Sequence, residues 1–203
     1  MANFASRRKE LSSASNTVRG ATAWTDVQEK ITQIVQDCKK GDHAAQRRLY
    51  EVSHQNVYRL MVRMVGLQDA ADVTQQVFLQ AFRKIGQFSA RSQFGTWMYR
   101  VAVNEALQHL RRSKRSRLRT LEQEPMDRSS NRQENTDDKE LLEQALALLE
   151  PELRSAFLLR EVEGLSYSEL ADALEIPSGT VGSRLNRARR ELKQHLIELG
   201  WET

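Results

Sequence analysis

A single cysteine, Cys38, is all the chain offers, so no intrachain disulfide and no cysteine-based metal cluster can form. One thiol fits a reducing compartment, and a cytoplasmic location is the expectation. No stretch approaches the roughly 18 consecutive apolar residues of a membrane span, so no membrane insertion is expected. Arg7, Arg8 and Lys9 lie near the N-terminus without an apolar segment after them, so no secretory signal is expected. The four histidines, His43, His54, His109 and His195, are dispersed. Neither a glycine-rich phosphate loop nor an H-E-x-x-H spacing occurs, so no catalytic residue, metal or cofactor is assigned and the chain is not expected to be an enzyme. Aromatic residues are only 6% of the whole.

Glycine and proline are also scarce, with nine and three in 203 residues. Apolar residues recur at helical spacing almost everywhere, and no alternating β-branched window bounded by turns competes. The chain reads as all-α. Residues 1–24, rich in Ser, Ala, Asn and Thr, read as a disordered, solvated tail. A helical block over 25–112 opens with Val27, Ile31, Ile34, Val35 and Cys38, ends its first helix at Gly41, and offers Asp42 as the next cap. Val57, Leu60, Met61, Met64 and Val65 mark a second helix ending at Gly66. Asp69 is the expected N-cap of a third, with Val73, Val77, Phe78, Ala81, Phe82 and Ile85 turned inward. After a break over 86–95, a last helix spans 96–112. Periodicity then fades over 113–137, where polar residues surround Pro125 as in a flexible linker. A second helical block, 138–203, begins with Leu141, Leu142, Ala145, Leu148 and Leu149. Two small helical domains on a flexible tether are the expected architecture.

Near the C-terminus Ser166-Tyr167-Ser168-Glu169 has the form of a capping box, so a short helix starts just after Ser166. Glu175-Ile176-Pro177 forms a turn, and Ser178 is expected to cap a further helix over 179–196. On the wheel of that helix Val181, Leu185, Ala188 and Leu192 fall together, opposite Ser183, Asn186, Arg187 and Arg190, with Arg184 and Arg189 on the flanks. An apolar seam with Arg and Asn forks opposite suits a recognition helix in the major groove. An ordinary amphipathic helix with a solvated basic face is the alternative.

The helix over 97–112 divides in a similar way. Tyr99, Ala102, Val103, Ala106, Leu107 and Leu110 line one face, and Trp97, Arg100, Asn104, Gln108 and Arg111 the other. A Trp on a polar face needs cover: either a nucleobase or the 86–95 loop with Phe88 and Phe94. Beyond it, Arg100, Arg111, Arg112, Lys114, Arg115, Arg117 and Arg119 face a lone acid, Glu105, before the balance turns acidic from Thr120 to Glu152. The basic cluster has the footprint of a phosphate-tracking surface.

Three runs, Asp69 to Phe78, Phe94 to Asn104 and Leu110-Arg111-Arg112, resemble the second conserved region of bacterial sigma factors. Arg160 to Ala171 and Pro177 to Arg190 resemble the fourth, with nothing like the other two regions between. That is the arrangement of the extracytoplasmic-function branch of the sigma-70 family, and the resemblance spans about 26–197. It implies a transcription initiation factor with core RNA polymerase, promoter duplex, the melted single strand and an anti-sigma factor as partners, acting in stress or envelope-type responses. Asp69, Asp72, Gln75 and Phe78 then match the polymerase-docking segment. Phe88, Phe94, Trp97, Arg100, Asn104, Gln108, Arg111 and Arg112 match the part that opens the −10 element. Ser178, Thr180, Ser183, Arg184, Asn186, Arg187 and Arg190 match the −35 recognition helix. Gln108 stands where the family usually has Asp, Gly182 where a base is frequent, and Glu150-Pro151 where Leu-Pro is usual. A two-domain regulator that binds DNA without polymerase, and a sigma-like protein that no longer opens DNA, are the rival readings.

Overall fold

The computed structural model describes residues 28–89, 92–121 and 138–201. The expected tail over 1–24 and the linker residues from 122 to 137 lie outside them. Among the described residues every regular element is helical: α1 (Gln28–Lys39), α2 (His43–Val65), α3 (Leu67–Lys84), a 3-10 turn (Ile85–Gln87), α4 (Phe94–Leu121), α5 (Asp138–Leu148), α6 (Pro151–Glu161), α7 (Tyr167–Leu174) and α8 (Ser178–Glu198).

Local chemistry sets most of the boundaries. Asp42 caps α2 by accepting from the Ala44 N–H at 2.8 Å. Gly66, at φ 91°, closes α2 and leads directly into α3, a backbone geometry that an L side chain resists. Helix α3 therefore starts two residues before the expected cap, and Asp69 sits in its first turn, where a carboxylate favours the positive end of the helix dipole. Pro151 occupies the first turn of α6, where its missing N–H costs nothing. Both halves of the capping box at Ser166 and Glu169 are formed. Ser178 is the first residue of α8 and makes no capping bond, because Pro177 holds the cap position.

Helix α4 departs most from expectation. It continues to Leu121, nine residues into the segment read as linker, because the run of Arg, Lys and Leu after Arg112 contains good helix formers and no breaker. Of the apolar positions that open the second block, Leu148 is 55% exposed, while Leu146 beside it is buried.

The helices make two domains, α1–α4 and α5–α8. Leu49, Leu60, Met61, Met64 and Met98 fill the first, and Leu158, Leu159, Leu170 and Leu185 the second. The two domains also pack against one another. Helix α4 packs on α7 and α6, α2 packs on α5 and α6, and the buried apolar side chains form one continuous cluster. Met98 and Val101, between the two faces of the α4 wheel, are buried as a result. Arg154 of α6 crosses the junction: its buried guanidinium donates to the carbonyls of Met64 (2.7 Å), at the end of α2, and of Ala147 (2.5 Å) and Leu149 (3.1 Å), at the end of α5. Three orphan helix-end carbonyls are thus satisfied by one cation, held there although burial pushes it below its ordinary pKa.

Candidate nucleic-acid interface

Trp97 lies in the first turn of α4 with its ring inside the protein, only 5% exposed. Its centroid lies 5.6 Å from both Phe88 and Phe94, and those two meet edge to face at 5.7 Å. The loop, rather than solvent, covers the indole. Lys39 ties this cluster to α1, donating to the Phe88 carbonyl at 2.6 Å with its ammonium 5.7 Å from the Phe88 ring. Beside the aromatic trio a cavity of about 260 Å³ is lined by Ser89, Ser92, Thr96, Trp97 and Arg100, and by Asp172 from α7 of the other domain.

The polar side of α4 is occupied by the same domain. Arg100 lies 3.9 Å from Glu175, and the Asn104 amide donates to the second Glu175 oxygen at 3.4 Å. Arg111 pairs with Glu152 at 3.2 Å. On the opposite, apolar face of α4, buried Tyr99 donates its hydroxyl to Glu163 at 2.5 Å. Burial raises the Glu163 carboxyl above its usual range, and the Tyr99 bond with the cations Arg59 and Arg63 opposes the rise. Arg112 is exposed and donates to Gln108 one turn back.

On α3, Asp72 and Gln75 face solvent, and Asp69 pairs with His109 at 3.0 Å. Phe78, by contrast, is 3% exposed and packs 4.7 Å from the Tyr50 ring. Tyr50, His54 and Tyr58 form an aromatic ladder along α2 around it. The four-residue spacing of that ladder is legible in the sequence but was not singled out. Glu152, Glu163, Glu175 and Arg154 were also missed, and no local pattern could have found them, because each is defined by a partner in the other domain.

Helix α8 follows its wheel. Val181, Leu185, Ala188 and Leu192 are buried, and Ser178, Ser183, Asn186, Arg187 and Arg190 are exposed. Thr180 and Arg184 are half-buried, and Ser183 donates to the Thr180 carbonyl at 2.9 Å. Arg189 turns back to Glu161, with bonds of 3.1 and 2.6 Å, so it holds α8 on α6. Arg187 meets Glu191 at 2.7 Å and Glu150 at 3.2 Å, exposed pairs that water and salt weaken. The recognition-type surface is therefore cationic, uncovered and fixed by a rigid seam.

Residues 49–116 match the family model described as sigma-70 region 2, and residues 139–192 the one described as sigma-70, region 4. The RNA polymerase sigma-H factor of Pseudomonas aeruginosa is 36% identical over 186 residues, covering 85% of this chain and 96% of the relative. The chain belongs to the extracytoplasmic-function branch of the sigma-70 family. Other relatives include the ECF RNA polymerase sigma factor SigE of Mycolicibacterium smegmatis, 35% identical over 89% of this chain and 74% of the relative. The ECF RNA polymerase sigma-E factor of Escherichia coli K12 is 34% identical, over 81% and 94%. Two solved structures share the fold. The sigma factor RpoE in complex with the anti-sigma factor NepR, from Bartonella quintana, has a TM-score of 0.61 at 21% identity, over 76% of this chain and 98% of that one. CnrH in complex with the cytosolic domain of CnrY has a TM-score of 0.58 at 20% identity, over 83% and 97%. As a sigma factor, the chain directs core RNA polymerase to promoters to initiate transcription, and both polymerase and promoter DNA are its partners. No helix among the described residues is long and apolar enough to cross a membrane.

Proposed function

We propose that this sigma factor divides promoter recognition between its two domains and acts in the cytoplasm without catalysis of its own. Residues 25–112, with the rest of α4, hold polymerase through the Asp69, Asp72, Gln75 and Phe78 segment and open the −10 element. The aromatic loop of Phe88 and Phe94, with Trp97, Arg100, Asn104, Gln108, Arg111 and Arg112, receives the melted strand, because a cavity beside an aromatic cluster and cations suits an unpaired base on its phosphate backbone. Residues 138–203 read the −35 duplex with Ser178, Thr180, Ser183, Arg184, Asn186, Arg187 and Arg190. The linker is reduced to about 122–137. Stress or envelope-type regulation through an anti-sigma factor accords with the names of the relatives and of the solved complexes.

The observation that carries this reading is the exposed row Ser183, Asn186, Arg187 and Arg190 over a fully buried apolar seam. Core polymerase with the purified protein should start RNA at a discrete set of promoters on genomic DNA. In that assay Arg187→Ala should weaken promoter recognition by roughly 5- to 150-fold and leave polymerase affinity unchanged. Initiation at no defined site sinks the reading. An equal loss of polymerase affinity sinks the assignment of the face.

A further inference from the structure

We infer that Lys39 is a positioning residue of the −10 site: from the end of α1 its ammonium fixes the Phe88 side of the aromatic loop, and so shapes the cavity that takes the unpaired base. This inference rests on the function proposed above. It adds a residue that the region 2 match, which begins at residue 49, does not reach.

The place of Lys39 on its helix is unusual for a cation. Ile31 and Val35 lie on the buried stripe of α1 at four-residue spacing, and Lys39 is the next position along it. An apolar side chain there would continue the seam, so packing alone does not call for a lysine. A cation turned toward the core is unfavourable unless its head finds an acceptor. This one donates to the Phe88 carbonyl at 2.6 Å and lies 5.7 Å from the centre of the Phe88 ring. Gly41, at φ 86°, ends the helix just beyond, which leaves Lys39 in the last turn, where the helix dipole favours positive charge.

Phe88 is where the grip matters. It follows the 3-10 turn, and its N–H closes that turn on the Ile85 carbonyl at 3.1 Å. The Phe88 backbone is thus held twice, by the turn through its N–H and by α1 through its carbonyl. Its ring meets Phe94 edge to face and lies 5.6 Å from Trp97. Gln87, Phe88 and Ser89 supply one stretch of the cavity lining, and Thr96, Trp97 and Arg100 another. Lys39 does not line the cavity, so it acts through Phe88 rather than on the base. A base entering a cavity whose wall is already fixed loses less binding free energy to ordering the protein.

The test uses holoenzyme, core polymerase with the full chain, on a fork-junction duplex of a promoter from the initiation assay, with the −10 strand unpaired. Each unpaired position is made abasic in turn, and the fall in affinity measures how firmly that base is held. Lys39→Met keeps the alkyl stem and removes the ammonium. Lys40→Met makes the same charge change at the exposed neighbour, which pairs with Asp37. Parent and Lys40→Met should lose about ten-fold in affinity at one abasic position, the contribution of a base held against aromatic rings. Lys39→Met should lose about two-fold or less there, and Lys39→Arg should restore most of the difference. A loss in Lys39→Met that is equal on every probe, with the abasic penalty intact, overturns the inference. So does the same vanished penalty in Lys40→Met, or no recovery with Lys39→Arg. Should Lys39→Met fail to fold, Lys39→Leu, which continues the apolar stripe, is read in the same way. A parent holoenzyme with no abasic penalty at any −10 position refutes the proposed function at that element, and the inference with it.

Discussion

Replacing Arg154 by Met removes a buried guanidinium while keeping nearly the same volume. Three carbonyls lose their donor, those of Met64, Ala147 and Leu149. A hydrogen bond from a charged donor contributes about 1.5–3 kcal/mol, and each buried acceptor left alone costs about 1–3 kcal/mol. Two effects reduce the total. Helix-end carbonyls can recruit water, and the substitution removes a charge whose burial is itself unfavourable. A net loss of about 3 kcal/mol is expected. For a chain of this length that corresponds to a fall in Tm of roughly 6–12 °C. Urea denaturation and a thermal melt of Arg154→Met measure it, and Arg154→Lys should fall between, because one ammonium cannot serve both helix ends with a planar fork. A loss below about 1 kcal/mol would refute the claim that this cation joins α2 to α5 and α6.

Three further outcomes follow from local geometry. Gly182→Ala should stabilise α8 by about 1 kcal/mol, since the added methyl would meet only the Tyr167 ring at 3.9 Å; an unchanged or lower melting temperature contradicts this. Ser166→Ala removes the N-cap of α7 and should cost about 1 kcal/mol in denaturant titration, with no change expected in the m-value. Glu163 has its pKa raised in the folded chain, so its contribution to stability is fully present below the ordinary carboxylate range and is lost as pH rises through the raised value. Thermal melts across that window should show the parent chain losing stability as pH rises, and Glu163→Gln should flatten the response; a parallel response in both proteins would dismiss Glu163 as the titrating group.

Much of this molecule was legible before its structure. The helix ends at Gly41 and Gly66, the cap at Asp42, the capping box at Ser166 and the buried seam of α8 depend on neighbours within a turn or two, and periodicity and capping chemistry report such neighbours directly. Two misplacements were also local. Asp69 looked like a cap but sits in the first turn, because Gly66 had already redirected the chain. The basic run after Arg112 looked like linker but continues α4, because helix-forming cations need no apolar stripe to stay helical.

By itself, then, the sequence determined the helical class, the two sets of family motifs and the buried and exposed faces of α8, since each is written in residues a few positions apart. Only the tertiary structure decided that Trp97 lies under Phe88 and Phe94 and that Glu152, Glu163 and Glu175 meet α4. The three carboxylate contacts join side chains 41, 64 and 71 positions apart across the domain junction. A helical wheel assigns every such carboxylate to water, because it cannot see the second surface that takes the water's place.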